Sequence, residues 1–481
     1  MSNKGEKKGI GTFDYFCIGF GSIVGVGWAV SLNKWMAGSG GPLPASFGYI
    51  LALIMMVPVA LCYCELAPMM PVAGGGMAYA YKAFNQNIGF ISGWAAFGAF
   101  LTIIPWEAIY VVDILSVLFP AIKGPVLYTF FNSDIFLGQI ICGTLFSVII
   151  FAVNLKGAAS SASVQRGLTI FLVIVGLLAI IMGLVKFDSA NFQPIYENVG
   201  KGTHNGFMGG ALAILASAPF FLAGFETIPQ MIEDGGDDTT SIGKTVILAV
   251  GIACIFYALL LFALGSAMPW QEFYKLPTPA ASNMFKVIYA GGLGNALYLI
   301  VLVGAIAGLF TTWNGFFMAS PRLLQGMARG YMVPQAFAKE HPKYGTPING
   351  LIFCLVLSVS GAFLGYGLIN PLTSFSAAGF VLSWLITSFS VVSLRKREPD
   401  AHRPYKVPGG SATAWFAGIV MTVLFVLLFI PNNPVYMGKT ASIVFVGWMV
   451  IGIILYVSVA GKRNAVSAEE RERVIFAKAE K

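Results

Sequence analysis

The sequence predicts an all-α polytopic membrane protein with twelve transmembrane helices, arranged as two inverted five-helix halves with two helices appended. Three observations lead there. First, 57% of the 481 residues are hydrophobic and 10% charged, with a mean hydropathy of +0.78, whereas soluble domains carry about 25% charged residues. Second, apolar segments of span length, about 20 residues, recur twelve times: 13–37, 44–69, 88–119, 134–156, 160–185, 207–233, 240–268, 292–328, 347–366, 371–394, 412–430 and 441–461. Third, the first and sixth segments carry interruptions that a helix in lipid does not tolerate freely.

The first interruption is Gly19-Phe20-Gly21-Ser22-Ile23-Val24-Gly25-Val26-Gly27-Trp28. Each helical glycine costs about 1 kcal/mol relative to alanine, and a backbone freed in hydrocarbon has no water to satisfy it. Such a break persists only where it is buried in protein or lines a cavity. Close packing through Gly21-xxx-Gly25 is the other explanation of the same residues. The sixth segment repeats the feature as Ala218-Pro219-Phe220-Phe221-Leu222-Ala223-Gly224-Phe225-Glu226-Thr227-Ile228-Pro229-Gln230. Breaks at positions one and six divide the chain into segments 1–5 and 6–10. An odd number of spans per half requires opposite insertion, so the repeat is inverted and a binding site is expected between the breaks at the midplane.

This division gives a cytoplasmic N-terminus (1–12), a first repeat (13–185), an external loop (186–206), a second repeat (207–394), a cytoplasmic loop (395–411), two further spans (412–461) and a cytoplasmic tail (462–481). Only seven of the 29 Lys and Arg residues then lie outside: Lys34, Lys123, Lys186, Lys201, Lys275, Lys286 and Lys439. This excess of positive charge on the inner side sets both termini in the cytoplasm and accounts for the net charge of +8 without a nucleic-acid partner. The polar, basic N-terminus and long first segment do not read as a secretory signal. All six cysteines fall in apolar segments and lack metal-ligand spacing, so they read as small core residues. No nucleophile–base pair or metal cluster points to an enzyme. No repeated filter motif points to a channel.

Further patterns sit at the segment ends. Glu65-Leu66-Ala67-Pro68 runs into Pro71-Val72-Ala73-Gly74-Gly75-Gly76 after the second segment, and Ser320-Pro321-Arg322-Leu323-Leu324-Gln325-Gly326-Met327-Ala328-Arg329-Gly330 follows the eighth. Leu394-Arg395-Lys396-Arg397-Glu398-Pro399 and Arg403-Pro404-Tyr405-Lys406-Val407-Pro408-Gly409 follow the tenth. With the glycine-rich break, these stretches resemble the hallmarks of amino acid–polyamine–organocation (APC) permeases over residues 10–410. The resemblance implies a LeuT-like fold of five-plus-five inverted repeats with discontinuous helices 1 and 6. It also implies a secondary active transporter in the plasma membrane that moves amino acids by alternating access. The alternatives are an amine, polyamine or ethanolamine transporter, or an amino acid/amine exchanger.

A helix N-terminus offers free N–H groups and a positive dipole end, so the amides of Gly25, Val26 and Gly27 are candidates to cradle a carboxylate. By resemblance, the carbonyls of Ile23 and Ala223 would receive the ammonium, and Phe220 would stand as an aromatic gate. Two carboxyls lie within spans, where an ionisable group marks a functional site. Glu226 follows the sixth-segment break and reads as a tether of the broken helix or a proton carrier. Glu107 departs from the family pattern. Facing the pocket, it would favour a cationic or amine-bearing substrate; otherwise it is a neutralised or hydrogen-bonded carboxyl. Asp113 lies further out and reads as a rim residue. No resident cofactor is expected. The family's helix-five lysine position holds Leu172. Sodium ligands are available from the Gly21 and Val24 carbonyls with the Thr311 and Thr312 hydroxyls, although helix–helix hydrogen bonding is the preferred explanation of the threonines. Sodium coupling, proton coupling and ion-free exchange remain open here. The run from Glu233 to Asp238 reads as a solvated linker, pairing with Arg322 or Arg395. With no external cysteine, a disulfide-linked accessory subunit is not expected. The partners are the small-molecule substrate and the lipid bilayer.

Overall fold

The computed structural model describes residues 10–199, 204–235 and 239–477. Gly236, Asp237 and Asp238 of the acidic run, and Lys201 of the 186–206 loop, lie outside the described residues.

The chain is mostly helical. The first segment forms α1 (Thr12–Val24), α2 (Gly27–Val30) and α3 (Leu32–Ser39). There follow α4 (Pro42–Met69), α5 (Gly76–Ala83) and α6 (Gln86–Leu118), then a hairpin of β1 (Val126–Phe130) and β2 (Ser133–Phe136), α7 (Leu137–Leu155) and α8 (Ala158–Val185). The sixth segment comprises α9 (Gly206–Ala213), α10 (Ala218–Leu222) and α11 (Thr227–Gln230). After it come α12 (Thr239–Gly265), α13 (Trp270–Phe273), α14 (Ala280–Ile288), α15 (Gly291–Arg329), α16 (Ile348–Gly361), α17 (Ile369–Arg397), α18 (Ser411–Leu427), α19 (Lys439–Ser458), α20 (Ala460–Asn464) and α21 (Ala468–Phe476). Among the described residues, nine helices are long and apolar enough to cross a membrane. Three shorter apolar helices, Gly206–Ala216, Ile348–Gly361 and Ser411–Leu427, accompany them.

The order of burial explains what the breaks are for. The span Thr12–Val30 is 83% buried, and Gln86–Leu118 and Ile369–Arg397 are each 72% buried, whereas Lys439–Ser458 is only 17% buried. The interrupted first span is therefore the centre of the bundle, and α19 lies at its edge. Outer helices turn apolar side chains outward, among them Ile443, Val450 and Ile454 of α19. A hydrocarbon environment suits such a surface.

Two departures from the expected elements have local causes. Residues 134–136, expected to begin a helix, form strand β2 instead, so the chain is not purely α-helical. Val126-Leu127-Tyr128-Thr129-Phe130 is rich in β-formers. It pairs antiparallel with β2 (Tyr128 with Ile135, Phe130 with Ser133). The two turn residues, Phe131 and Asn132, have φ of 47° and 56°, the backbone of a two-residue hairpin turn. The second departure is the linker after the sixth segment, which is not solvated at its start. The Glu233 side chain is 6% exposed, pairs with Arg329 at 2.9 Å and accepts from the Ala73 N–H at 2.7 Å. Asp234 pairs with Arg322 at 2.7 Å; Arg395 has its ion-pair partner in Glu65.

The Glu65 carboxylate is 1% exposed and accepts from Arg395 Nε at 2.9 Å and from the Val407 N–H at 2.8 Å, with Arg403 Nε at 3.4 Å. The end of α17 and the loop that follows it thus close around one buried charge of α4, at the end of the bundle where α21 docks. The helical tail α21 docks at this same end. Ile475 is buried beside Gly330, and Glu472 pairs with Lys82 of α5.

Removing one member of a buried ion pair strands its partner and costs about 3 kcal/mol or more. Glu65→Ala is therefore expected to lower the apparent Tm of the purified protein clearly, whereas Glu470→Ala, on an exposed pair of α21, leaves it nearly unchanged. Equal Tm values for the two variants would contradict this role of Glu65.

Candidate functional site

The two breaks lie against each other. Gly25 has φ 47° and ψ −145° and ends α1, its N–H reaching back to the Gly21 carbonyl at 3.4 Å. In the sixth segment Ala223 turns extended (φ −69°, ψ 149°), and Gly224 follows with φ 134°. A Cβ on Gly224 would stand 2.6 Å from the Ile23 nitrogen, and one on Gly308 of α15 would stand 2.0 Å from the Gly25 oxygen. Glycine at these two positions lets the first break be held between backbone on both sides.

Between the breaks lies a closed cavity of about 20 Å³. It is bounded by Ser22 to Gly27, by Ile103, Trp106 and Glu107 of α6, by Phe220 and Phe221 of α10, and by Thr312 and Phe316 of α15. Eight of the twelve residues singled out from the sequence line it: Ile23, Val24, Gly25, Val26, Gly27, Glu107, Phe220 and Thr312. Gly21, Ala223, Glu226 and Thr311 do not. The space suffices for about one water, so an amino acid enters only if the surrounding helices part.

The polar groups around the cavity differ sharply in how they are satisfied. Among the described residues, the Val26 N–H has no acceptor, Gly27 opens α2 as its first residue, and the Gly25 N–H is turned to Gly21. The Ile23 and Val24 carbonyls share the Tyr257 hydroxyl of α12, at 3.0 and 2.9 Å. Glu107 is 2% exposed, and its Oε2 has no hydrogen-bond partner among the described residues. Above it the Phe220 ring packs on Trp106, with centroids 5.6 Å apart. The Val26 N–H, the unpartnered Trp106 indole N–H and one bare carboxyl oxygen thus belong to residues that line the same small space.

Glu226 belongs elsewhere. Its Oε2 accepts from the Gly224 N–H at 2.8 Å, and its Oε1 accepts from the Trp384 indole, so it ties the sixth-segment break to α17. It lines a separate cavity of about 10 Å³ with Gln230, Gly74 and Trp384. The four candidate sodium ligands do not converge with bare oxygens. The Gly21 carbonyl accepts from Gly25, and the Val24 carbonyl accepts from Tyr257. Thr311 Oγ1 donates to the Gly308 carbonyl at 2.7 Å, and Thr312 Oγ1 to the Ser22 carbonyl at 3.3 Å. Gln165 of α8 occupies the neighbourhood, donating to the Thr311 carbonyl at 2.9 Å.

Sequence inspection missed Tyr257 and Phe221. Tyr257 had one weak signal: a hydroxyl within an apolar span needs a buried partner. It is one of 18 tyrosines, and nothing local distinguishes it. Phe221 stands beside Phe220 in sequence, and only helical phase decides that both rings reach the cavity.

Comparison with known proteins gives consistent matches. The profile of a family described as amino acid permease matches residues 10–456. The chain is similar to the branched-chain amino acid permease BcaP of Bacillus subtilis, 25% identical over 96% of this chain and 95% of that one. It is similar to the glutamate/serine transporter AimA of the same organism, 25% identical over 89% and 80%. It is also similar to the vacuolar cationic amino acid transporter 4 of Arabidopsis thaliana, 26% identical over 82% and 64%.

A Cβ at Gly27 would meet the Phe221 ring at 2.8 Å, and a branched side chain would cover the free Val26 amide. Gly27→Val is expected to lower kcat/KM for uptake by at least about tenfold, a loss of roughly 1.4 kcal/mol, with the amount of protein in the membrane unchanged. Wild-type uptake by this variant would remove the amide cradle from the site.

Proposed function

The chain belongs to the amino acid permease family, and from that premise we propose that it is a secondary active transporter. It moves amino acids across the plasma membrane by alternating access at the cavity between the two breaks. It is a permease and not an enzyme. Its helices, with the three short ones counted as spans, supply twelve crossings in a LeuT-like arrangement of inverted five-helix repeats. Both termini lie in the cytoplasm, as the distribution of Lys and Arg favours.

One observation carries the substrate proposal: the buried, unpartnered Oε2 of Glu107 on the cavity wall. A carboxyl in that setting is poorly solvated, and a substrate bearing a cationic group supplies the missing donor. The free Val26 amide favours a substrate that also bears a carboxylate. Together they favour a basic amino acid over a simple amine or polyamine, which would leave that amide unused. The names of these relatives span branched-chain, acidic and cationic amino acids, so family membership leaves side-chain choice to residues such as Glu107.

The hydrogen bonds already made by Gly21, Val24, Thr311 and Thr312 favour a helix-packing role for them over sodium ligation. Coupling is proposed to run through protonation of Glu107 or Glu226, or to be absent, with exchange as the mode. The buried positions of all six cysteines favour a transporter without a disulfide-linked partner.

A ligand that binds the native state raises its apparent stability by mass action. In thermal-shift measurements on purified protein, lysine or arginine is expected to raise the wild-type Tm and to have no effect on Glu107→Gln. Equal stabilisation of both proteins by leucine or serine would place the pocket among general zwitterion sites and refute the selective role of Glu107.

A further inference from the structure

Away from the central cavity, the β1–β2 hairpin carries an apolar surface that the fold leaves uncovered. It sits at the end of the bundle opposite α21, since α6 starts beside Gly330, where α21 docks, and ends at Leu118, before the hairpin. All of β1 is exposed, and Val126, Leu127, Tyr128, Phe130 and the turn residue Phe131 form an apolar and aromatic patch. A patch of this kind marks an interaction surface. We propose that the hairpin is an interfacial anchor: its apolar side chains enter the headgroup–acyl boundary of the leaflet away from α21 and cover a non-helical segment of the chain there. The proposal rests on the membrane-spanning fold and is independent of the transported substrate.

Helix lengths set the depth. α7 has 19 residues, about 28 Å of helix, so the hydrocarbon core of about 30 Å takes it up whole. Its first residue, Leu137, follows directly on β2 and lies at the hydrocarbon boundary. α16 beside it has 14 residues, about 21 Å, and stops short of that boundary. A Cβ on Gly143 of α7 would stand 2.6 Å from the Ala362 Cβ, and Gly143 is nearly two helical turns inside Leu137. From Ala362 the chain covers the remaining distance without α-helix until α17 begins at Ile369.

Irregular backbone at membrane depth persists only where protein covers it. Here the cover is the hairpin and the start of α7. Gln139 of α7 donates to the Ala362 and Leu364 carbonyls at 3.1 and 2.6 Å. The Tyr128 hydroxyl of β1 donates to the Phe363 carbonyl at 2.9 Å. Ser133 Oγ of β2 accepts from the Gly367 N–H at 2.8 Å. Three consecutive carbonyls past a helix end are thus bonded to side chains, as an end withdrawn from water requires. A Cβ on Gly365 would stand 2.6 Å from the Ser133 Cβ, and one on Gly367 would stand 2.0 Å from the Phe131 oxygen. The hairpin therefore sits directly on this segment.

Continuity of the surface identifies the partner. Leu137, Ile141 and Leu145 of α7 and Ile352 and Val356 of α16 are exposed apolar side chains of membrane helices, and Phe363 of the covered segment is exposed as well. The lipid-facing surface runs from these residues onto the hairpin patch. An amphipathic aromatic such as Tyr128 suits the headgroup level. The one charge of the hairpin, Asp134, is paired in register with Thr129, in alternation with the Tyr128–Ile135 pair, and it accepts from Thr129 Oγ1 at 2.8 Å. By that alternation the Tyr128 face meets lipid without burying a charge.

The test uses the full chain reconstituted in phosphatidylcholine vesicles. All six native cysteines are buried, so a spin label attaches to an introduced one. Val126→Cys and Phe131→Cys, both at exposed positions, report on the two ends of the patch. Ile141→Cys is the lipid reference, and Glu272→Cys, at an exposed position of α13, is the water reference. Power saturation reads collisions with oxygen, which concentrates in lipid, and with a water-soluble nickel complex. At both hairpin positions nickel collisions are expected to fall severalfold below those at Glu272→Cys, with oxygen collisions rising toward those at Ile141→Cys. Nickel access equal to that of Glu272→Cys at either position overturns the proposal, because the patch then faces water. Low access to both reagents at either position also overturns it, and dipolar broadening there identifies a second copy of the chain as the occupant.

Discussion

The contact of one broken backbone with another is the constraint on which the rest of the molecule depends. Gly224 lies against Ser22 and Ile23, and Gly308 lies against Gly25, at distances that leave no room for a side chain. A helix interrupted in lipid exposes donors and acceptors that hydrocarbon cannot satisfy. Here protein covers them. Tyr257 bonds the Ile23 and Val24 carbonyls, Glu226 bonds the Gly224 amide, and Thr312 bonds the Ser22 carbonyl. Among the described residues, the unpartnered groups at the cavity include the Val26 amide, Glu107 Oε2 and Trp106 Nε1. The binding chemistry is the remainder of a backbone problem that has otherwise been solved.

The same logic of burial and compensation governs the end that carries the termini. Glu65, Glu233 and Asp234 are each matched by arginines from the ends of α15 and α17 or from the loop that follows α17. These pairs link α4, the sixth segment, α15 and α17. Parting the helices at that end means exchanging several ion pairs, one of them around an almost fully buried carboxylate. At the other end an aromatic layer, Tyr110, Trp106 and Phe220, packs beside the cavity. One closure is electrostatic and the other is mainly apolar packing, so ionic strength and pH act on them unequally.

Legibility followed from how local each signal was. The spans were readable because hydropathy is a property of a contiguous segment, and the breaks because glycine and proline carry their backbone preferences with them. Eight of the twelve singled-out residues reached the cavity, since the break places Ile23 to Gly27 side by side in sequence as well as in space. The hairpin was passed over because an apolar run of β-formers next to an apolar helix looks like more of the same helix. Glu226 was associated with the site by its position next to a break, but the direction of its side chain, toward Trp384 and Gly224, is set by α17, which lies some 150 residues away in sequence.

By itself, then, the sequence determined the polytopic helical class, the positions of the two breaks, the family and the stretch that would line a site. Tertiary structure alone decided which polar groups stay unsatisfied there. Tyr257, Gly308 and Trp384 come from distant helices, and only their packing determines which carbonyls and amides are covered. Hydropathy and backbone preference are written residue by residue. Hydrogen-bond satisfaction and charge pairing are properties of pairs, and most of these pairs form only when the helices meet.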